Sequence, residues 1–390
     1  MEPNMTSRRK FMTILGGGVI LAAGGIGAWA TSRDPAGARK PWEAAKALDA
    51  GASGDPRVFA LAHAILAPNP HNRQPWVAEL STPGEIKLYF DTARRLPETD
   101  PYDRQLTIGL GCFVELLSMA AAETGHRAEV SLFPEGEPQP MLDGRPVAHI
   151  RLVADSGVAR DPLFAQVFAR HTNREAYDTA RPVSAQALDT IAAAARTARI
   201  AHATGEKEVP TLRALSWEAM EIELRTYRTM KESVDLMRIG KAEIEANPDG
   251  ISLGGPLNEG LDLLGLMDRQ AMLDPNTMVF TEGMKAQKVQ FDTAMGFLWL
   301  ATPGNSRADQ IAAGRDYLRM HLAVTEAGLA LQPFSQALQE YDEMAGKYME
   351  MRTALRISDN ETLQMFVRLG YGPGIRPAPR WPLETRIRSA

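Results

Sequence analysis

Cys112 is the only cysteine in 390 residues. An intramolecular disulfide, a cysteine-based zinc site and a CxxC redox pair are therefore excluded in any compartment, and redox chemistry would have to come from a bound group. The seven histidines (63, 71, 126, 149, 171, 202 and 321) include no pair spaced i, i+4 and no neighbouring carboxylate arrangement of the kind that holds a metal. There is no GxSxG elbow, no GxxxxGK[ST] phosphate loop and no GxGxxG opening a helix after a strand, which removes the main support for hydrolase and dinucleotide-fold readings. Basic residues are also in deficit, 43 Lys plus Arg against 48 Asp plus Glu, and they do not cluster with aromatics. Nucleic acid rewards phosphate neutralisation, so that class of partner is set aside. Cys112 sits on the apolar face Leu106, Leu110, Phe113, Leu117 and Ala120 of a helical pattern, where a free thiol reads as core packing.

What is present begins at the N-terminus. Ser7-Arg8-Arg9-Lys10-Phe11-Met12 precedes a glycine- and alanine-rich apolar run over residues 14–30. That order reads as a twin-arginine export signal, with a single uncleaved membrane anchor as the alternative, since 17 residues lie at the lower edge of what spans a bilayer. Removal of residues 1–30 takes three positive residues and one negative one, leaving 40 Lys plus Arg against 47 Asp plus Glu. The expected location is the periplasm or the extracytoplasmic face, with the twin-arginine translocase as a partner. That route carries folded proteins, which raises the question of a cofactor acquired before export.

With 44% hydrophobic and 23% charged residues, the rest is an ordinary globular chain, long enough for one large domain or two pseudo-equivalent halves. Residues 31–54 are small, charged and rich in Pro and Gly, as a linker would be. A helix is expected over 57–66, ending before Pro68. Alternation predicts strands at 85–90, at Ala128, Val130 and Leu132, and at Ala148, Ile150 and Leu152, with the 105–124 helix among them. The second half is expected to be more helical, at 161–170, 184–197, 210–246 and 307–330, with strands over 296–301 and 367–371. Residues 247–292 lack a sustained period and contain Met267, Met272, Met278 and Met284; gap-filling core packing and a functional lid both remain open for them. The whole reads as α+β, a mixed sheet covered by helices.

Three segments are not required by any helix or strand. Ala67-Pro68-Asn69-Pro70-His71-Asn72-Arg73-Gln74-Pro75-Trp76 is a polar turn bracketed by prolines. Its Asn72 and Gln74 amides offer donors and acceptors suited to the polar edge of a heterocycle, although the segment can equally be a plain helix-to-strand turn. Arg170-His171-Thr172-Asn173-Arg174, with Tyr177 beyond, offers two guanidinium forks that match phosphate oxygens; a solvated basic turn is the alternative. The C-terminal stretch from Arg368-Leu369-Gly370-Tyr371 to Arg380-Trp381-Pro382-Leu383 adds another arginine in a proline-stiffened tail.

Together these segments resemble the nitroreductase-like flavoproteins, and within them the Acg-type branch, in which two nitroreductase halves are fused in one chain. Leu88-Tyr89-Phe90-Asp91 with Arg94-Arg95-Leu96-Pro97 and Asp100-Pro101, and Gly328-Leu329-Ala330-Leu331-Gln332-Pro333-Phe334-Ser335-Gln336, extend the resemblance over about residues 55–388. It implies a nitroreductase-like mixed sheet with a first half at 55–160 and a second at 161–390, including a lid at 247–292. It further implies FMN between the halves and a monomeric pseudo-dimer. Carried over residue by residue, Arg170, Thr172 and Arg174 would grip the phosphate with Arg380 helping, Asn72 and Gln74 would address the ring, and Gly328 and Leu329 would let backbone approach it. Asn69, Arg73, His171 and Trp381 depart from the family pattern, and His171, when protonated, would share the phosphate. The flavin N5 carries the chemistry, so no catalytic side chain is implied. The expected activity is two-electron transfer from NAD(P)H or another reductant to nitro- or quinone-like acceptors. The alternatives are a protein that holds or sequesters FMN without nicotinamide-dependent turnover, and a binding or structural protein without flavin.

Overall fold

Several helix starts in this chain are set by side chains that take the unpaired amides of a first turn. The computed structural model describes residues 32–51 and 54–388, so the twin-arginine motif and its apolar run lie outside it. In chain order the helices are α1 (Lys40–Ala47), α2 (Pro56–Ala64), α3 (Arg104–Glu123), α4 (Ala185–Ala192), α5 (Glu208–Arg225), α6 (Tyr227–Asp235), α7 (Gly240–Ala246), α8 (Pro256–Leu263), α9 (Arg269–Leu273), α10 (Met278–Asp292), α11 (Arg307–Glu326) and α12 (Ala345–Ala354). The strands are β1 (Trp76–Glu79), β2 (Glu85–Phe90), β3 (His126–Leu132), β4 (Pro146–Ala154), β5 (Arg199–Ala203), β6 (Met237–Ile239), β7 (Ile251–Leu253), β8 (Gly296–Thr302), β9 (Ala330–Pro333), β10 (Thr362–Gly370) and β11 (Ile387–Arg388). Asp55 caps α2 through the Arg57 amide, with Pro56 in the first turn. Ser306 and Asp309 form a reciprocal capping box on α11. Asp100 accepts from the Gln105 and Leu106 amides at the start of α3.

The fold is α+β with mixed sheets. One sheet has the order β11-β1-β2-β4-β3 and another the order β5-β8-β10-β9, while β6 and β7 form a parallel pair. Apart from the parallel β11–β1 pair, every pairing in the two larger sheets is antiparallel. The order β1-β2-β4-β3 matches β5-β8-β10-β9 strand for strand, and a 20-residue helix follows the second strand in each case, α3 in the first and α11 in the second.

These two helices pack on each other at a glycine on each. A Cβ on Gly111 would lie 2.9 Å from Gly314 Cα and collide with the Ile311 carbonyl. A Cβ on Gly314 would lie 2.8 Å from Gly111 Cα and collide with the Ile108 carbonyl. Each helix opens on a buried arginine that reaches across to the other half. Arg104 donates to the Leu338 and Gln364 carbonyls, and Arg307 to those of Pro138 and Pro140. The largest of three apolar clusters runs from Trp42 to Leu369 and draws on both halves. Cys112 lies in it, its thiol directed at the Gly314 carbonyl and its pKa pushed up by burial.

Several elements differ from the sequence expectation. The stretch read as a linker contains α1, whose Trp42 and Ala45 are buried against the core. The 210–246 helix is broken in two places, at Thr226, which is extended, and at β6, after which Gly240 takes φ +73. The 161–170 segment is a short 3-10 turn, Pro162–Gln166. Residues 247–292 carry β7 and helices α8, α9 and α10. The period of α10 is masked because only Phe280, Met284 and Phe291 are buried, while Met278 and Val289 are exposed. Of the four methionines noted there, Met272 and Met284 are buried in core clusters.

Candidate functional site

The C-terminal end of α2 supplies the site's acceptors. The carbonyls of Ile65, Leu66 and Ala67, at the negative end of that helix, all accept from Arg380, through Nε at 2.8 Å and Nη2 at 3.0 Å to each of the last two. Arg170 Nη2 donates to the same Leu66 carbonyl at 3.1 Å. Two arginines remote in sequence are thus brought to one oxygen by the segment after β4 and by the C-terminal tail. Each is 3% exposed. Neither faces a carboxylate among the described residues, and burial pushes both below the ordinary guanidinium pKa, with Arg170 the second cause for Arg380.

The surrounding groups are polar and uncharged. His321, on α11, lies with Nδ1 3.4 Å from Arg170 Nη1 and Nε2 3.3 Å from the His171 carbonyl. That geometry suits a neutral ring that accepts from the guanidinium and donates to the carbonyl. Burial keeps His321 far below its usual pKa. His171 is lowered to about 4 by burial, then by Arg170 and Arg380, so at neutral pH it offers an N–H rather than a charge. His71 is also lowered to about 4, by burial, then by Arg73 and Arg174. The Nδ1 atoms of His71 and His171 and the Tyr317 hydroxyl are buried without a hydrogen-bond partner.

The polar turn after α2 is conformationally unusual. His71, Asn72 and Gln74 have φ of 45, 49 and 50. Left-handed backbone at non-glycine residues costs on the order of 1 kcal/mol each and is held only where the surroundings over-determine it. Here Asn69 Oδ1 accepts from the Gln74 amide at 2.7 Å. Asn72 accepts from Arg380 Nη1 at 2.6 Å and donates to the Pro379 carbonyl at 3.0 Å. Gln74 is fully buried, donating to the Pro248 carbonyl at 2.7 Å and accepting from the Trp381 amide at 2.9 Å. Both amides therefore secure the tail that carries Arg380.

The remaining sequence candidates are not all brought to this cluster. Thr172 bridges to Leu331 at the edge of β9, and Asn173 N donates to the Leu331 carbonyl. Gly328 (φ 69) terminates α11, and the buried Leu329 follows it. Arg174 diverges, is exposed and donates to the Ser252 carbonyl on β7. Arg368 is fully buried, but it organises residues 173–177 through the Asn173 and Glu175 carbonyls and the Tyr177 ring, 3.8 Å from its guanidinium carbon.

Trp42, His321 and Tyr317 are neighbours that sequence reasoning missed. Each is an ordinary helical residue locally, and only tertiary packing brings it to the site. A second arginine group, Arg73, Arg94 and Arg238, surrounds Asp249 and so is partly compensated, which sets it apart from the Arg170 and Arg380 pair.

An uncompensated guanidinium is costly to bury, and two side by side more so. With the His171 Nδ1 and Tyr317 hydroxyl close by, neither with a hydrogen-bond partner among the described residues, the arrangement suits a multivalent anion such as a phosphate. Among the described residues it contains no carboxylate that could serve as acid or base.

No family model matches the chain. Two Mycobacterium tuberculosis proteins, both named "Putative NAD(P)H nitroreductase", from strains CDC 1551 and H37Rv, are each 32% identical over 117 residues. That is 30% of this chain and 33% of each relative, so the chain matches about a third of the length of these curated relatives. Among solved structures, the FMN-dependent nitroreductase NfnB from Mycobacterium smegmatis, in complex with NADPH, aligns at TM-score 0.35 and 18% identity over 56% of this chain and 94% of its own. A nitroreductase with bound FMN from Desulfitobacterium hafniense aligns at TM-score 0.35 and 13% identity over 58% and 98%.

Proposed function

We propose that this chain is an exported FMN-binding oxidoreductase of the nitroreductase type, passing two electrons through flavin to nitro- or quinone-like acceptors. The observation that carries the reading is the Arg170 and Arg380 pair, two buried guanidiniums without a carboxylate. The likeness over 117 residues to proteins named as NAD(P)H nitroreductases supports the reaction class, and the resemblance of the motif segments to nitroreductase-like flavoproteins supports flavin as the group concerned. In this reading Arg170 and Arg380 hold the phosphate, His71 and His171 donate N–H groups, and Asn72 keeps Arg380 aimed. Thr172, next to His171, borders the same ligand, and Gln74 anchors the tail behind it. Bound flavin supplies hydride acceptance and release at N5, while the protein binds, orients and excludes water. The chain acts as a monomeric pseudo-dimer, with residues 247–292 as a lid tied down through Asp249.

A second reading, flavin holding without nicotinamide-dependent turnover, is favoured by the closure of Trp42 over His171 and Arg380. It also answers the difficulty that soluble NAD(P)H is a cytoplasmic reductant. The deciding experiment is a visible absorption spectrum of the purified protein, followed anaerobically by NADH and NADPH. Flavin bands that bleach support the oxidoreductase; bands that persist until dithionite support holding. Absence of flavin bands even after FMN is added overturns both.

A further inference from the structure

The segment between the apolar N-terminal run and α2 lies across the arginine pair. Trp42, on α1, is 5% exposed. Its ring meets that of His171 edge-on at 5.5 Å, and the Arg380 guanidinium lies 5.5 Å from its centroid. Its Nε1 donates to the Ala378 carbonyl at 2.8 Å, and the Arg380 amide donates to the Ala38 carbonyl at 2.9 Å. Asp34 pairs with Arg39 and with Arg376 of the tail, and the Gly37 amide donates to Glu245 on α7 at 3.1 Å. One short segment therefore fastens the tail and α7 together over the site.

We propose that residues 34–47 form a wall of the anion site and that Trp42 is its positioning residue, setting the Arg380 guanidinium and the His171 ring so that ligand enters and leaves only when this arm lifts. The inference rests on the reading of that site as a flavin phosphate site. Two physical features support a wall over a passive tether. A tether has no reason to bury an indole, and the two contacts Trp42 makes are with the groups that would hold the anion. Cation–π and hydrogen-bond losses of the size expected here correspond to about tenfold or more in the opening equilibrium.

The test compares the full exported chain with Trp42→Ala, Trp42→Phe and a deletion of residues 32–48. Amide hydrogen exchange without ligand is the first readout. Trp42→Ala and the deletion should speed exchange of the Arg380 amide about tenfold or more and leave the α3–α11 amides protected, while Trp42→Phe, which keeps the ring but loses the Ala378 bond, should fall between. Unchanged exchange at Arg380 overturns the proposal, and loss of α3–α11 protection in Trp42→Ala also counts against it, since the arm would then be ordinary core.

FMN association and dissociation rates are the second readout. A wall predicts that both rise together, with the dissociation constant moving less than either, and Trp42→Phe again intermediate. A rise in dissociation rate alone would mean a simple ligand contact and would overturn the gating role. If the wild-type chain binds no FMN, the flavin reading fails, and the exchange experiment still decides whether the arm holds the tail.

Discussion

Arg170 and Arg380 are two cations that the folded chain buries together and supplies with main-chain oxygens, the Asn72 amide oxygen and the His321 ring, and with no carboxylate among the described residues. At neutral pH both guanidiniums stay charged, so the cost is relieved by an anion rather than by proton loss. Each charge-assisted contact is worth about 1.5–3 kcal/mol, so the Arg170→Ala, Arg380→Ala double variant should weaken FMN binding by well over a hundredfold. Equilibrium titration followed by flavin fluorescence checks this; retained affinity would place the phosphate elsewhere.

His171 adds a pH dependence with a definite sign. Its pKa in the free protein is about 4, and a bound anion raises it. Between those values the complex binds more protons than the free protein, so this histidine strengthens binding as pH falls, by up to about tenfold per unit. The second ionisation of the phosphate, near pH 6, acts the other way. The diagnostic quantity is therefore the affinity of wild type relative to His171→Asn, which should grow between pH 7.5 and pH 5; a constant ratio would remove His171 from the site. The sequence singled out Arg170 and His171 as a polar, arginine-bearing turn after an apolar stretch and Arg380 as an arginine in a proline-stiffened tail. It did not disclose that Asn72 and Gln74 secure the tail, nor that Trp42 and His321 complete the surroundings. Those facts reside in contacts that span 100 residues or more, such as Asn72 with Pro379.

At the scale of elements, the α3–α11 crossing fixes the site because α11 carries His321 and α3 supports the strained turn. Gly109 on α3 faces Asn69, and a Cβ there would lie 3.1 Å from the Asn69 Cβ. At the crossing itself two helix backbones are in contact, and neither can give way as a flexible side chain would. Gly111→Ala and Gly314→Ala should each destabilise the protein by about 3 kcal/mol or more, or prevent folding, because the new methyl meets backbone rather than side chain. Urea unfolding monitored by circular dichroism measures this, and a loss below about 1 kcal/mol would show that the crossing can relax.

The elements read correctly from sequence are those with their own pattern. α3 and α11 have long apolar faces, and β2 alternates strictly between buried and half-buried positions. The elements missed lack such patterns. β5, β9 and β11 have two to five residues each, and their partners are distant in sequence: Ala78 of β1 pairs with Ile387. Pairing of that kind is a property of the folded sheet and leaves little trace in local alternation.

At the scale of the whole molecule, the two halves repeat one topology, yet neither is self-contained. Strand β11, from the end of the second half, pairs with β1 in the first sheet. Arg104 and Arg307 each satisfy carbonyls of the opposite half, and one apolar core takes Leu61, Ile86 and Phe113 from the first half together with Leu298, Ile311 and Val367 from the second. Removing either half would expose that core and leave the remaining half's buried arginine, Arg104 or Arg307, without its carbonyl acceptors across the interface, at costs that exceed the net stability of an ordinary domain. The full chain should therefore unfold in urea as one transition, with the same midpoint by tryptophan fluorescence and by far-ultraviolet circular dichroism. Residues 54–160 expressed alone should lack the near-ultraviolet signal of packed aromatics, although Trp76 and Phe113, with ring centroids 5.1 Å apart, both lie within them. A cooperative transition in that fragment would show that the first half is an independent domain and that the shared core is dispensable to it. Two separated transitions in the full chain would lead to the same conclusion from the opposite direction.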